Sequence, residues 1–315
     1  MNKRITLTVF LLFVIAAIFT RCIFIDELTM PANVQAGKKF KISMRIRMQP
    51  KQDRENIRFV FAMLVPKGWH AKNNTKISYT STRGNGILVP VPANVVAAKM
   101  QYINWPDGLM NRVGMGKNTI PDFEWVVFWT QRIYSITSGE PEFSGMLHVI
   151  ATAGNENAKM DMGFMVCNSF DGFEGESVTK KVFKPLTVSG GKGLQIDYQK
   201  PQTSVVTPLR SRDTALFTIS LDGNRVNTPL SRASIVYLYA KGYANQKVFE
   251  VSEQRIDNKM VPLGNNKWQL KLRPRTFFDV EEGQSLKRME YYFVIGNSRL
   301  KVDNNSVKRY QHTFQ

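Results

Sequence analysis

The sequence predicts an all-β chain: two β-sandwich (immunoglobulin-like) domains in tandem after a signal peptide. Three observations predict it. Short runs alternate apolar and polar residues at period two, with Gly, Pro and Asn turns between them. Hydrophobic residues are 43% of a 315-residue chain, enough for packed cores in two domains of ordinary size. Residues 1–22 have the order of an export leader, with Lys3 and Arg4 ahead of an uncharged apolar run over 5–20.

That apolar run is shorter than the roughly 20 residues that span a bilayer. Cys22 ends it, at the position where exported lipoproteins carry the cysteine that receives diacylglycerol. Arg21 departs from the small residue expected beside such a cut. Lipidation at Cys22 is the expectation. An uncleaved signal anchor and a coincidental cysteine after an ordinary signal are the alternatives. The expected domains are 1–22, 23–205 and 206–315.

Strand patterning begins after Pro31. Phe40, Ile42, Met44, Ile46 and Met48 alternate with Lys41, Ser43, Arg45 and Arg47, which predicts one buried and one basic, wet face. The run over 57–65 is apolar on both faces, and Pro66-Lys67-Gly68 stops it. Residues 69–121 are crowded with turn formers and read as a long irregular region, with a short helix over 95–102. Regions of this length are usually functional or flexible. Strands resume over 125–129, 145–152, 162–166 and 181–188. Residues 199–213 read as a linker. A second set of strands follows over 216–221, 235–240, 268–272 and 289–295, and a hairpin starts at 301–304.

The formal net charge is +18, and removing Lys3, Arg4 and Arg21 with the leader leaves +15. The charge is spread evenly, which favours anionic partners or a merely solvated basic surface. Nucleic acid is not expected, because basic residues alternate with acids and no aromatic–basic groove module is recognisable. Only Cys22 and Cys167 occur, so no disulfide framework is expected, and Cys167 in its apolar run reads as a buried structural thiol.

Motifs for catalysis fail on inspection. His70, His148 and His312 lack zinc-site spacing, and neither HExxH nor GxSxG occurs. Residues 114–119 imitate a phosphate loop, but the pattern requires glycine where Asn111 stands just upstream and a hydroxyl residue where Asn118 stands. Asp171, Glu174 and Glu176 offer clustered oxygens for a hard cation, or form a plain acidic turn. Neither cofactor nor metal is expected, and the chain reads as a non-enzyme. The aromatic residues are more suggestive. Trp125, Trp129 and Trp268 sit in strand patterns and read as core. Trp69 and Trp105 flank the turn-rich region beside Lys67, and beside Asn104 and Asp107. A tryptophan in a polar loop suits a sugar ring, so these five residues form the candidate ligand site.

The leader, Val65-Pro66-Lys67-Gly68-Trp69, Phe123-Glu124-Trp125, Ser220-Leu221-Asp222-Gly223-Asn224, Arg275-Thr276-Phe277-Phe278-Asp279-Val280 and Tyr291-Tyr292-Phe293-Val294 together resemble one known group. The chain looks like the uncharacterised two-domain lipoproteins of Bacteroidota-type polysaccharide-utilisation loci, which are similar in layout to starch-system surface glycan-binding lipoproteins. The resemblance covers nearly the whole mature chain. It implies a cell-surface or outer-membrane location, capture of a neutral or acidic polysaccharide or oligosaccharide beside a transporter, Phe277 and Phe278 over a core, and no catalytic residue. A structural or adhesive protein docking on another outer-membrane protein is the alternative expectation. An exported hydrolase is the second.

Overall fold

The computed structural model describes residues 23–173, 175–200, 202–224, 233–245, 247–296, 300–302 and 309–315. The leader and Cys22 lie outside the described residues, as does Glu174. The chain is all-β and forms two compact units. Unit 1 holds the described residues up to Asn118 together with Phe123–Gln199; unit 2 holds Thr119–Asp122 and Lys200–Gln315.

Unit 1 is built on one long antiparallel-dominated sheet. Its path runs β1 (Ile23–Thr29), β3 (Lys39–Met48), β10 (Phe143–Thr152), β6 (Lys76–Ser81), β7 (Gly86–Pro90), β8 (Phe123–Thr130), β5 (Phe59–Pro66), β11 (Glu156–Asn168), β12 (Lys180–Ser189) and β2 (Asn33–Gln35), with β13 (Lys192–Asp197) added beside β11. A twisted sheet this wide folds back on itself, and β1 meets β11 and β12 across the interior. The patterns follow from that closure. β3 alternates, with Phe40, Ile42, Met44, Ile46 and Met48 inside, as its sequence predicts. β5 and β11 are buried along most of both faces, so their sequences show no alternation. Gly163 of β11 leaves room for Trp125 and Phe183, whose rings stand within 3 Å of where a Cβ would lie.

The region 69–121 differs from expectation. It contains β6, β7 and an eight-residue helix, α2 (Trp105–Arg112), after a single short turn of helix, α1 (Ala71–Asn74). No helix forms over 95–102. α2 packs on β8, and Gly114 accepts a 3.0 Å hydrogen bond from Trp125 Nε1. The glycines and prolines turn the chain between β6, β7 and α2, and the packing of those elements on the sheet outweighs weak local propensity. Asn118, in the failed phosphate loop, is buried and bridges to the Asp161 backbone in both directions, at 2.8 and 2.9 Å. A two-stranded ribbon, β4 (Arg54–Ile57) with β9 (Tyr134–Ile136), completes the unit.

Unit 2 is a sandwich of two sheets. One orders β14 (Ser204–Thr207), β15 (Phe217–Asp222), β19 (Lys267–Leu272) and β18 (Val261–Gly264). The other orders β17 (Val248–Val251), β16 (Val236–Tyr243), β20 (Arg288–Ile295) and β21 (Leu300–Val302), with β22 (Tyr310–Thr313) also on β20. Alternation is clean on β15 and β16, which place Phe217, Ile219, Leu221, Val236, Leu238 and Ala240 in the core. Phe277 and Phe278 lie in the same core, ring to ring at 5.0 Å. The expected linker contains β14, so Ser204 and Val205 belong to this sandwich. Its apolar run is two valines long, too short for period two to register.

Candidate functional site

The candidate sugar-binding residues do not form a ligand site. Trp69 is 3% exposed and Trp105 1%. Trp69 caps the end of β5 on a 3-10 turn and stands edge-on to Phe40 at 6.1 Å, with its indole against Gly154. Trp105 opens α2 and packs edge-on to Phe173 at 5.6 Å, and its Nε1 has no hydrogen-bond partner among the described residues. Neither ring presents a face to a sugar. Asn104 is the N-cap of α2: its Oδ1 accepts from the Asp107 amide at 2.9 Å, and its Nδ2 donates to Asp107 Oδ2 at 2.9 Å. That is a helix start made in the usual way, with Asp107 in the first turn favoured by the helix dipole. Lys67 is exposed on the 3-10 turn that carries Trp69, separate from the α2 residues. Tryptophans flanked by turn residues read as loop-borne in sequence. Here the turns serve to fold the rings inward.

One concavity of unit 1 lies beside the ribbon β4–β9. A cleft of about 440 Å³ is lined by Gln49, Lys51, Arg54, Asn168, Asp171 and Ser177, with Ile23, Met48, Ile136 and Val178 as its apolar parts. Its floor is fixed. Arg54 Nη2 and Nε donate to Asp171 at 2.8 and 3.1 Å, and the guanidinium lies 4.6 Å over the Phe170 ring. Asn168 accepts from the Phe170 and Asp171 amides and donates to Asp171 Oδ2 at 2.8 Å. Lys99 Nζ stands 3.9 Å from the same carboxylate. Burial pushes the Asp171 carboxyl up, but the hydrogen bonds from Arg54 and Asn168 pull it further down, and it lies below the usual carboxylate value. It is therefore held as an anion, anchored by Arg54 and Asn168. No cluster of three or more metal-ligating side chains occurs among the described residues.

Behind the ribbon, an apolar chamber of about 80 Å³ is lined by Ile46, Ile57, Tyr79, Tyr134, Ile136 and Leu147. Tyr79 and Tyr134 join hydroxyl to hydroxyl, and Arg83 pairs with Glu140 at the rim. Cys167 is fully buried on β11; burial, then the Asp171 charge, pushes its thiol well up, which makes it a poor nucleophile. His148 lies exposed on β10, a strand not paired with β11.

Residues 23–202 match one family, described as a domain of unknown function (DUF4961). The chain belongs to the DUF4961 family. In this DUF4961 protein a second domain of unknown function, DUF8578, matches residues 204–302. No curated protein matches the chain. Among solved structures, the DUF4961 chain is similar to AvmM, described as catalysing macrocyclization in alchivemycin A biosynthesis, at 11% identity, 55% of this chain, 90% of that one and a TM-score of 0.29. It is also similar to the collagen-binding domain of a Staphylococcus aureus adhesin, at 9% identity over 51% of this chain and 96% of that one, TM-score 0.23. The major pilin subunit of Bacillus cereus gives 10% identity over 93% of this chain and 66% of that one, TM-score 0.23. Likeness at that level carries no argument about activity.

The residues of the cleft escaped sequence reading. Arg54 and Asp171 lie 117 positions apart, and no local pattern links them. Asp171 stood out only with Glu174 and Glu176, as clustered oxygens for a hard cation or a plain acidic turn.

Proposed function

We propose that this DUF4961 protein is an exported, lipid-anchored, non-catalytic scaffold that docks on a partner protein at the cell surface. One observation carries the docking reading. Every residue of β18 is exposed, and Val261 and Leu263 on it are 54% and 55% exposed, with Ile256 just before it at 96%. Apolar side chains gathered at a sheet edge mark a place where another chain is met. Exposed apolar residues scattered singly would need no such explanation.

The anchor reading rests on the order of residues 1–22, and β1 bears only on where an anchor would hold the chain. The strand starts at Ile23, which is 2% exposed and paired with Met48. Neighbouring Cα atoms are about 3.8 Å apart, so a lipid on Cys22 would hold this end of unit 1 at the membrane surface with no spacer. A photo-crosslinking residue placed at Leu263 in cells tests the docking reading. A discrete protein adduct is expected; no adduct above that of the same residue placed at exposed Ile87 would sink it.

Glycan capture is the second reading, and the polar 440 Å³ cleft favours it. Gln49 and Lys51 there suit hydroxyls and carboxylates. It ranks second because the buried tryptophans remove the stacking surface and because Ile23 puts the cleft beside the anchor. Isothermal titration with neutral and acidic polysaccharides, with Lys51→Ala as control, decides it. Heat that the control abolishes would promote glycan capture to first place.

A further inference from the structure

We infer that the uncovered half of β19 in unit 2 is a β-augmentation slot for an extended segment of a partner protein that alternates apolar and acidic residues. The inference rests on the docking reading and gives it a place and a chemistry.

β19 is paired with β15 over its whole length, from Phe217 opposite Leu272 to Asp222 opposite Lys267. On its other side β18 covers only the first half, from Gly264 opposite Lys267 to Val261 opposite Gln269. The chain before Val261 does not continue along β19. It crosses to the other sheet, where the Leu238 amide donates to Asn258 at 2.8 Å, the Met260 amide donates to Val236 at 2.8 Å, and Lys259 bridges to Tyr237. β18 therefore diverges from β19 like the arm of a wedge. The outward backbone edge of Leu270, Lys271 and Leu272 is left without a strand among the described residues.

The wedge is an open groove of about 500 Å³. Ile256, Val261 and Phe277 line it with apolar surface, and α3 (Pro274–Phe277) closes its far end. β18 itself is a poor template. Pro262 has no amide hydrogen to donate, and the register slips between Pro262 and Gly264, both devices that blunt an edge. The uncovered half of β19 carries no such device. Backbone groups left at a sheet edge give affinity to an added strand, and the side chains on alternate faces give it selectivity.

Charge selects the occupant. Lys259, Lys271 and Arg273 line the groove, all exposed, and none forms an ion pair among the described residues. The one acid in the lining, Asp257, is taken by Arg255 at 2.9 Å. Lys271 and Arg273 point away from the core while Leu270 and Leu272 point into it. A strand laid beside them meets Lys271 and Arg273 on the outward face, which Val261 shares as the partner of Gln269, and the core side of Leu270 and Leu272 on the other. Acidic residues then belong on the first face and apolar residues on the second. A second copy of this chain fits badly, since it would set one basic groove against another.

The test uses the purified mature chain and synthetic eight-residue peptides: one alternating valine and glutamate, one alternating valine and lysine. The acidic peptide is expected to bind at least tenfold more tightly, and to slow amide hydrogen exchange at Leu270–Leu272. Lys271→Glu with Arg273→Glu should reverse the preference, and Ile256→Ser should weaken both peptides without loss of thermal stability. Equal binding of the two peptides, or protection that falls elsewhere, overturns the inference. So does a dimer by light scattering that Lys271→Glu with Arg273→Glu breaks, because the edge would then serve self-association. A crosslink at Leu263 in cells combined with no acidic-peptide binding would retain docking and remove this slot. No crosslink at all would remove docking itself.

Discussion

Asn104 and the two tryptophans show how residue chemistry is reassigned by burial. A ring that is 1% or 3% exposed contributes through the apolar area it removes from water and the contacts it makes. Trp69→Ala and Trp105→Ala are each expected to destabilise unit 1 by about 3–5 kcal/mol, read by denaturant unfolding. A loss under 1 kcal/mol would show that the rings are not core. His312 makes the second residue-scale prediction. It is 6% exposed, its Nε2 lies 3.1 Å from Ser211 Oγ, and Phe217 and Phe314 flank it at 5.3 and 5.0 Å. Burial disfavours the charged ring and pulls its pKa from 6.5 down to about 4. The unfolded chain then binds a proton that the folded chain refuses. Stability from this residue is fully present above about pH 6.5 and is lost progressively as pH falls towards 4, by about 3 kcal/mol. Trp268, the single tryptophan after residue 200, reports unfolding of unit 2. With His312→Gln, that transition should lose its dependence on pH between 6.5 and 4. An unchanged dependence would refute the assignment.

At the scale of elements, α2 repays attention because sequence reading placed no helix there. Pro106 at the second position and Asn104 at the cap are start signals in plain view. They were outweighed by Gly108 inside the helix and by the turn formers on both sides. Gly108 is where the ring of Phe173 approaches, 2.8 Å from the position of a Cβ. Asn104→Ala should cost about 1 kcal/mol in thermal unfolding, with no change in any glycan titration. A lost titration without lost stability would return Asn104 to the ligand site. β3, β15 and β16 were legible because each has one wet face, so burial writes itself into the sequence as alternation. β5 and β11 are covered on both sides, and their apolar runs say buried without saying by what. β4, β9, β14 and β18 are three or four residues long, below the length at which a period of two can be told from chance.

For the whole molecule, the leader and the start of β1 make one prediction together. Cys22→Ser should release the chain from the membrane fraction of its native host into the soluble exported fraction, followed by immunoblot. A protein that stays membrane-bound after the substitution would rule out the lipid anchor. Composition and periodicity settled that the chain is all-β with two cores, since the alternation of apolar side chains is a local record of which face meets water. The expectation of an export leader is equally local, resting on a run of residue types in order. The tertiary structure alone decided what those residues do. It folded Trp69 and Trp105 inward, joined Arg54 to Asp171 across 117 positions, and turned the chain before Val261 away from β19 so that half a strand edge stands open. Such outcomes depend on which distant surfaces meet, and the free energy of burial that selects them is a property of the closed sheet, absent from any short stretch of chain.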